Sequence, residues 1–378
     1  MYRELLEAME PSGKRPLFVQ LVTGPPGSGK TTFCAAVSRV LLGIGRAHAL
    51  VNLDPGVGST EVLPYQPDID IRELVVCENV MKRFQLGPNG ALLYCMDYLW
   101  ENIDWLEGAL RDIYDGQGSD HGSDTARSTT PEMDAQPRRE KDASANYVIV
   151  DMPGQVELFV HHNATRKVIH YLTMHDPKRR WSDLRAVVVN IVDAQTCTDP
   201  HKFMSASVIS LMTMMNFGLP HVNVLMKSDL FQAEYERRLV ELESETEMCA
   251  RDGTLRDDAA SGPEGDNLVP SQLLYQLDIY ADSEDPLMFI AEGDDPGTKL
   301  SRAIAELLGD YGLVRFETAS ARDPYSILQV LEHIDRASGY CYIEQDMQNL
   351  LEMRQTVQQA KAPPKRPHSA GSSASPAD

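Results

Sequence analysis

The segment GPPGSGKT, residues 24–31, has the residue types and spacing of a phosphate-binding loop. It fits the pattern G-x-x-x-x-G-K-[ST], in which backbone N–H groups and the positive end of the following helix surround phosphate oxygens. We expect Lys30 to reach the β- and γ-phosphates of a nucleotide, the Thr31 hydroxyl to hold Mg²⁺, and Thr32 to reach the α-phosphate. The predicted nucleotide-binding residues here are Gly24, Pro25, Pro26, Gly27, Ser28, Gly29, Lys30, Thr31 and Thr32.

A second candidate segment, DMPGQ, follows the apolar run NYVIV. At the carboxyl end of a strand, the carboxylate of Asp151 suits a water-mediated contact to Mg²⁺. Gly154 permits close approach of the backbone to a γ-phosphate, and Gln155 could orient an attacking water. A lone D-x-x-G indicates only a turn. After a phosphate loop and a buried strand, it predicts a γ-phosphate sensor.

The segment NLDPG carries a third candidate carboxylate, Asp54, after another apolar run. We expect Asp54 to face the γ-phosphate, near the metal and the attacking water. A helix cap or a turn explains an aspartate before Pro-Gly equally well on these residues alone.

The segment MKSD, Met226–Asp229, resembles the guanine-reading motif of GTPases. Asp229 can accept hydrogen bonds from N1–H and from the N2 amine of guanine, whereas adenine would leave this carboxylate unpaired. The aliphatic part of Lys227 would cover the base. The first residue of that motif is usually Asn, so Met226 is a departure, and a Lys and an Asp in a surface loop are the alternative.

A tight turn is predicted at Gly87, Pro88, Asn89 and Gly90, before an apolar run that extends to Leu99. Gly and Pro are the strongest local turn signals. A surface loop is the simplest interpretation, although four such residues exceed what an ordinary turn requires.

Short apolar runs rich in β-branched residues alternate with helical stretches, which predicts repeated βα units. Because these runs lack polar alternation, we expect strands covered on both faces, as in a parallel sheet with helices on each side. The predicted fold class is therefore α/β, of the P-loop NTPase type. The predicted strands are Leu17–Gly24, Ala47–Asp54, Asn146–Gly154, Leu184–Asp193, Pro220–Asp229 and Leu313–Ser320.

We predict one domain over residues 15–360, with two inserted segments and a tail. The segments 115–145 and 251–267 are rich in Ser, Asp and Gly, and residues 361–378 are rich in Pro and Ser. Such compositions are typical of chains that stay disordered.

The overall composition excludes several classes of partner. The chain has 378 residues, 42% hydrophobic and 24% charged, with a formal net charge of −21. This charge argues against binding to nucleic acid or to an anionic membrane. The apolar runs are too short to span a bilayer, the N-terminal residues do not form a signal peptide, and the six scattered cysteines indicate free thiols in a reducing compartment. We expect a cytosolic or nuclear protein.

Two other functions stay open on the residues alone. A P-loop kinase would need an acceptor pocket and an arginine-bearing lid, for which Arg179 and Arg180 are the candidates. A nucleotide-dependent scaffold with little hydrolysis would organise partners through the insertions and the tail.

The order of these motifs resembles that of the GPN-loop GTPases, and among their eukaryotic paralogues most closely the second. The phosphate loop, NLDP, LGPNGALLYCMDYL, DMPGQVEL and a terminal K-x-D occur in one order, and the resemblance covers most of residues 17–345. It implies a Mg²⁺-dependent GTPase that acts as a dimer, either with itself or with a paralogous chain. It also implies a role in assembly and nuclear import of RNA polymerase II, in the cytoplasm with shuttling to the nucleus.

The same resemblance assigns roles to particular residues. Gly87, Pro88 and Asn89 would form the GPN loop at the dimer interface and face the partner protomer's nucleotide, far from their own phosphate loop. The implied catalytic residues are Asp54, Gln155 and, in trans, Asn89; the implied metal ligands are Thr31, Asp54 and Asp151; and Gly154, Lys227 and Asp229 complete the nucleotide site.

Overall fold

The computed structural model describes residues 16–116, 144–160, 162–174, 179, 181, 183–198, 200–233, 236–237, 277, 281, 296–311 and 314–342. The predicted insertion at 251–267 and the tail at 361–378 lie outside these residues, as do residues 117–143 of the first insertion. The domain boundaries therefore stay predictions.

The described residues form a seven-stranded sheet in which all neighbouring strands are parallel. The strand order is β3-β2-β4-β1-β5-β6-β7. The strands are β1 (Leu17–Thr23), β2 (Ala49–Asn52), β3 (Ile69–Asp70), β4 (Tyr147–Asp151), β5 (Leu184–Asp193), β6 (His221–Met226) and β7 (Phe316–Ala319). The predicted α/β fold is confirmed, but β3 was not predicted, because a two-residue strand has no periodic signal.

Helices connect the strands in the α/β manner. They are α1 (Lys30–Gly43), α2 (Cys77–Phe84), α3 (Pro88–Glu101), α4 (Ile103–Asp115), α5 (Val156–Val160), α6 (Asn163–Thr173), α7 (Pro200–Phe217), α8 (Pro296–Tyr311) and α9 (Pro324–Ser338). No described helix is both long enough and apolar enough to cross a membrane.

Both faces of the sheet are buried, which explains why its strands lack polar alternation. In β1, Phe18 and Val22 belong to the apolar layer that includes α1 and α9, whereas Leu17, Val19 and Leu21 belong to the layer that includes α3, α4 and α6. Side chains of a strand point alternately to the two faces, so a strand with helices on both sides needs apolar residues at every position.

The carboxyl ends of the parallel strands meet at one edge of the sheet. β1 lies between β4 and β5. β2, β3 and β4 lie on one side of β1, and β5, β6 and β7 lie on the other, so the strand order reverses direction at β1. Ligands of open α/β sheets bind at such a switch point, outside the carboxyl ends of the strands. The phosphate loop, Asp54, Asp151 and the segment after Met226 all follow these ends.

The predicted turn at residues 87–90 is wrong in its extent. Gly87 caps α3, and Pro88 is the first helical residue, followed by Asn89 and Gly90. The Ala91 N–H donates to the Gly87 carbonyl at 2.9 Å. Proline is favoured at the first helical position, where its missing N–H costs nothing. The GPN sequence is therefore the N-terminus of a helix, whose first N–H groups have no partner within the helix.

Candidate nucleotide-binding site

The phosphate loop joins β1 to α1 through glycines that no other residue could replace without strain. Gly29 caps α1 in the left-handed conformation (φ 101°), and a Cβ at Gly24 (φ 137°) would collide with the Ile191 carbonyl oxygen. α1 has no acidic residue in its first turn. Its N-terminal N–H groups and its dipole are therefore free to bind an anion.

Lys30 supplies a buried positive charge beside this helix end. The side chain is 6% exposed, and Nζ donates to the Pro25 carbonyl at 3.2 Å. Burial lowers the pKa of Lys30, whereas the charges of Asp151 and Asp54 raise it. An ammonium group bound to a loop carbonyl, and near enough to two carboxylates to interact with their charges, is suited to neutralise phosphate oxygens.

Asp151 offers one free carboxylate oxygen inside the site. Oδ2 accepts a hydrogen bond from Tyr65 Oη at 3.0 Å, whereas the buried Oδ1 has no hydrogen-bond partner among the described residues. Burial raises the pKa of Asp151 to about 6, although the nearby Thr31 hydroxyl and the hydrogen bond from Tyr65 act in the opposite direction. An unpaired buried polar atom calls for a ligand.

The donors around Asp151 fit Mg²⁺. A hydroxyl, at Thr31, and a carboxylate are hard oxygen donors, and Mg²⁺ is usually held by one or two protein ligands together with water and phosphates. No cluster of three or more His, Cys, Asp or Glu side chains suited to a metal occurs among the described residues. A metal at this position would therefore depend on the nucleotide for its remaining ligands.

Asp54 is held in place by the short pair of β2 and β3. Asn52 Oδ1 accepts from the Asp54 N–H at 3.1 Å, and Asn52 Nδ2 donates to Asp70 Oδ1 at 3.0 Å. Asp54 Oδ1 in turn accepts from the Gly56 N–H at 2.8 Å. Burial raises the pKa of Asp54, against the hydrogen bond from Gly56 and the charge of Lys30. The structure thus brings Asp54, Lys30 and Asp151 together, as the sequence predicts.

The backbone at Gly154 passes directly against the phosphate loop. A Cβ there would lie 2.8 Å from Lys30 Nζ and 3.1 Å from Pro26 Cα. Any side chain at this position would therefore displace the lysine that neutralises the phosphates. Gln155, the next residue, lines the same cleft.

The cleft at this edge has a volume of about 650 Å³ and extends beyond the phosphate site. It is lined by Pro26, Gly27, Gly29, Lys30, Thr31, Thr32, Asp54, Pro55, Gly56, Val57, Gly58, Val76, Cys77, Glu78, Met81, Pro88, Leu92, Gly154, Gln155 and Lys227. Gly56 packs on α3, since a Cβ at this glycine would lie 3.3 Å from Leu92 Cδ2. The expectation that the whole GPN turn lies far from its own phosphate loop is wrong for Pro88, whereas Asn89 is exposed and does not line the cleft.

On the other side of the phosphate loop, Lys227 bridges two strand ends. It has a positive φ of 66°, and its Nζ donates to the Gly27 carbonyl at 2.6 Å and to Asp193 Oδ2 at 2.7 Å. Met226, at 1% exposure, packs into the apolar layer with α1 and α9. The departure from Asn at this position thus places a core side chain where the sequence motif usually has a polar one.

Asp229 is oriented by residues that follow β7. Its Oδ1 accepts from Ser320 Oγ at 2.8 Å, and Arg322 Nη1 lies 3.5 Å from its Oδ2. The Ser320 N–H is itself held by Ser326 Oγ at 3.0 Å. A carboxylate fixed in this way can read the edge of a base.

Comparison with known proteins identifies the family. The model of a family described as a conserved hypothetical ATP binding protein matches residues 22–340. GPN-loop GTPase 2 of Danio rerio is 36% identical over 336 residues, which cover 89% of this chain and 85% of that protein. GPN-loop GTPase QQT1 of Arabidopsis thaliana is 34% identical over 332 residues, 86% of each chain.

The chain belongs to the GPN-loop GTPase family. This confirms the resemblance drawn from the order of the motifs. The crystal structure of a GTPase from Pyrococcus abyssi in its apo form has the same fold, with a TM-score of 0.56 and 20% identity, covering 86% of this chain and 98% of that one.

Three residues of this GPN-loop GTPase site were missed by the sequence analysis. Asp193 and Ser320 end or follow the parallel strands β5 and β7, so the rule that sites form at carboxyl ends of strands could have found them. Tyr65 lies in an irregular segment between Asp54 and β3 and has no local signal.

Arg179 does not form the mobile lid that a kinase of this fold would need. Its side chain is 5% exposed and donates to the carbonyls of Tyr171, Leu172 and Met174 at the end of α6. It also lies 3.4 Å from Glu107 of α4. Arg179 therefore caps a helix, and Arg180 lies outside the described residues.

Proposed function

We propose that this chain binds and hydrolyses Mg·GTP in the cleft and works as a dimeric switch. GTP hydrolysis is the activity of the family to which the chain belongs. The observation that carries the proposal is that the α1 N-terminus, Lys30 and Gly154 line one cleft, with the buried Asp151 close enough to Lys30 for their charges to interact.

The catalytic argument is mainly electrostatic, because phosphoryl transfer proceeds largely by positioning and by charge neutralisation. Lys30 and the N–H groups of α1 would bind the phosphate oxygens. Mg²⁺ held by Thr31 and Asp151 would neutralise further charge on those oxygens. Asp54 and Gln155 would accept from and orient the attacking water, while Asp54 also stays a predicted metal ligand.

Selectivity for guanine would come from Asp229. The carboxylate is held by Ser320 and Arg322 in the segment that follows Lys227, a residue of the cleft. Guanine would donate two hydrogen bonds to such a carboxylate, whereas adenine offers an acceptor at N1 and no amine at C2. We therefore propose GTP, and not ATP, as the substrate.

Dimerisation is proposed through the surface around the N-terminus of α3. Phe84 is 45% exposed and Leu86 is 36% exposed, immediately before Gly87 and Pro88. A contiguous apolar patch can mark a protein interface, and here the Phe84 ring also lies against that of Tyr94, with 4.8 Å between centroids. Across such an interface, the amide of Asn89 and the free N–H groups of α3 would donate to phosphate oxygens bound by the partner protomer. The partner is a second copy or a paralogous chain.

The cellular role is proposed from the family resemblance alone. We propose that the switch acts in assembly and nuclear import of RNA polymerase II, through polymerase subunits or assembly factors. This role would place the protein in the cytoplasm, with shuttling to the nucleus.

Phosphate release from Mg·GTP and from Mg·ATP, measured over a wide range of protein concentrations, tests the biochemical proposal. We expect release from GTP only, with a rate per protomer that rises with concentration. In Asn89→Ala, the part of the hydrolysis rate that depends on protein concentration should fall by roughly 10-fold or more, because the variant lacks an amide donor to the charge that develops on the phosphate. The matched control is Asn163→Ala, which removes another exposed asparagine from the first turn of a helix, α6.

Three other results would contradict parts of this proposal. An Asn89→Ala protein that dimerises and hydrolyses GTP like the wild type would remove the role of Asn89. Absence of release from either nucleotide would favour the scaffold function. Transfer of phosphate to an added acceptor in place of water would favour the kinase.

A further inference from the structure

Tyr65 contacts the candidate metal carboxylate from within the apolar core. Its ring is 6% exposed and packs in the apolar layer with α1 and α9. Its hydroxyl donates to Asp151 Oδ2 at 3.0 Å, across 86 positions of the chain. A buried tyrosine hydroxyl needs a hydrogen-bond partner, and here that partner is the carboxylate expected to bind Mg²⁺.

The backbone fixes the position of Asp151 but not the rotation of its carboxylate. Asp151 is paired with Val22 on one side and with Asn52 on the other, so its Cα cannot shift without breaking the sheet. The carboxylate torsion of an aspartate is broad and roughly two-fold, so both oxygens could turn toward the cleft. The hydrogen bond from Tyr65 engages Oδ2 and leaves Oδ1 as the unpaired oxygen.

We propose that Tyr65 is a positioning residue for Mg·nucleotide. By holding Asp151 Oδ2, it keeps Oδ1 directed toward the metal position beside Thr31 and raises the affinity of the site for Mg²⁺. Groups that orient the ligands of a metal in this way commonly change metal affinity 10- to 100-fold when they are removed. The inference rests on the proposed function.

The same contact ties the metal carboxylate to the segment that carries Asp54. This segment begins after β2 at Asp54 and returns to the core where Leu63 and Tyr65 pack. The middle of the segment is held by Arg72, which follows β3: its Nη1 donates to the carbonyls of Gly58 and Glu61 at 3.2 and 3.1 Å. Tyr65 is therefore one end of a pinned loop, and the other end is Asp54, which we expect to face the γ-phosphate.

The variant Tyr65→Phe separates this role from simple packing, because phenylalanine keeps the ring and removes only the hydroxyl. Tyr147→Phe is a matched control. Tyr147 is also buried, and its hydroxyl also donates to a carboxylate, Asp335 Oδ1, at 3.0 Å. It begins β4, whereas Asp151 ends it, so its hydroxyl lies at the opposite edge of the sheet from the cleft.

The dissociation rate of fluorescent GDP, measured as a function of Mg²⁺ concentration at constant pH, tests the proposal. We expect Mg²⁺ to slow dissociation, and the Mg²⁺ concentration for the half-maximal effect to rise about 10-fold or more in Tyr65→Phe. Without Mg²⁺, in excess chelator, the variant and the wild type should release GDP at similar rates. Tyr147→Phe should show the same Mg²⁺ dependence of GDP release as the wild type, whatever its thermal stability.

Two results would overturn the inference in distinguishable ways. If Mg²⁺ slows GDP release equally in the wild type and in Tyr65→Phe, Tyr65 has no positioning role, while the proposed function stands. If the wild type does not bind GDP, or binds it without any effect of Mg²⁺, the proposed function fails and the inference fails with it.

Discussion

At the scale of single residues, burial shifts the pKa values of ionisable groups, and neighbouring charges and hydrogen bonds change the size of these shifts. Lys30 and Asp151 lie near each other, so their opposite charges partly offset the cost of burial. His221, at the start of β6, has no such charged partner among the described residues. Burial lowers its pKa to about 4, although the nearby Asn223 side chain acts in the opposite direction. The folded protein therefore favours the neutral form of this imidazole.

The lowered pKa of His221 predicts that the folded protein loses stability in acid. Because the pKa of His221 is lower in the folded than in the unfolded protein, the unfolded protein takes up the proton first as the pH falls. Stability is fully present above about pH 6.5 and is lost as the pH falls toward about 4, by up to roughly 3 kcal/mol. We expect His221→Gln to lose less stability than the wild type between these pH values, as measured by urea unfolding.

The control for this measurement is His170→Gln, which removes an exposed imidazole from α6. It should follow the wild type within about 0.5 kcal/mol over the same range. Equal acid sensitivity in the wild type and in His221→Gln would show that the buried imidazole does not contribute.

At the scale of elements, a buried ion pair joins α9 to the loop between α1 and β2. Arg46 Nη1 and Nη2 lie 3.0 and 2.8 Å from the two carboxylate oxygens of Asp335, and both side chains are 2% exposed. The guanidinium also lies over the rings of Tyr147 and Tyr340, at 5.1 and 4.1 Å from their centroids. This cluster fixes the last described helix against the sheet, at the edge away from the nucleotide cleft.

We expect Asp335→Ala to destabilise the protein by about 3–5 kcal/mol, since it leaves the buried guanidinium without its anion. Asp183→Ala is the matched control: it removes a carboxylate from an exposed pair with Arg185, at 53% and 39% exposure. Such surface pairs contribute at most about 1 kcal/mol. The free energy of unfolding of both variants is compared by chemical denaturation. If both variants lose the same small amount of stability, Arg46 finds other partners when Asp335 is removed.

At the scale of the whole molecule, the dominant property is acidity. The formal net charge is −21, so two copies repel each other at long range. The surface proposed for dimerisation is apolar at Phe84 and Leu86, and its central donor, Asn89, is neutral. The attraction between these apolar and neutral side chains is short-ranged and insensitive to salt, whereas the repulsion between the acidic chains is screened by salt.

If the chain pairs with itself, raising NaCl from about 25 to about 150 mM should strengthen the dimer, because the Debye length falls from roughly 20 Å to roughly 8 Å. Sedimentation velocity should show a dissociation constant that decreases about threefold or more over this range. A dissociation constant that increases with salt would indicate an interface held by opposite charges, in conflict with the proposed apolar contact.

Local patterns of residues were enough to predict the fold class and the phosphate-binding half of the site. Apolar runs without polar alternation indicate strands covered on both faces. The glycines of residues 24–29 specify a local backbone conformation suited to phosphate, and this conformation does not depend on distant parts of the chain. The carboxylates Asp54 and Asp151 could be found because each directly follows such a run. These features depend on neighbouring residues, which a sequence displays directly.

The way in which the remaining groups meet depends on the tertiary structure. Tyr65 reaches Asp151 across 86 positions, Ser320 reaches Asp229 across 91, and Lys227 reaches Gly27 across 200. The position of Pro88 at the rim of its own cleft likewise depends on how α3 packs on the loop after β2. Such contacts are set by strand order and by helix packing, and no local pattern of residues encodes which distant strand ends become neighbours.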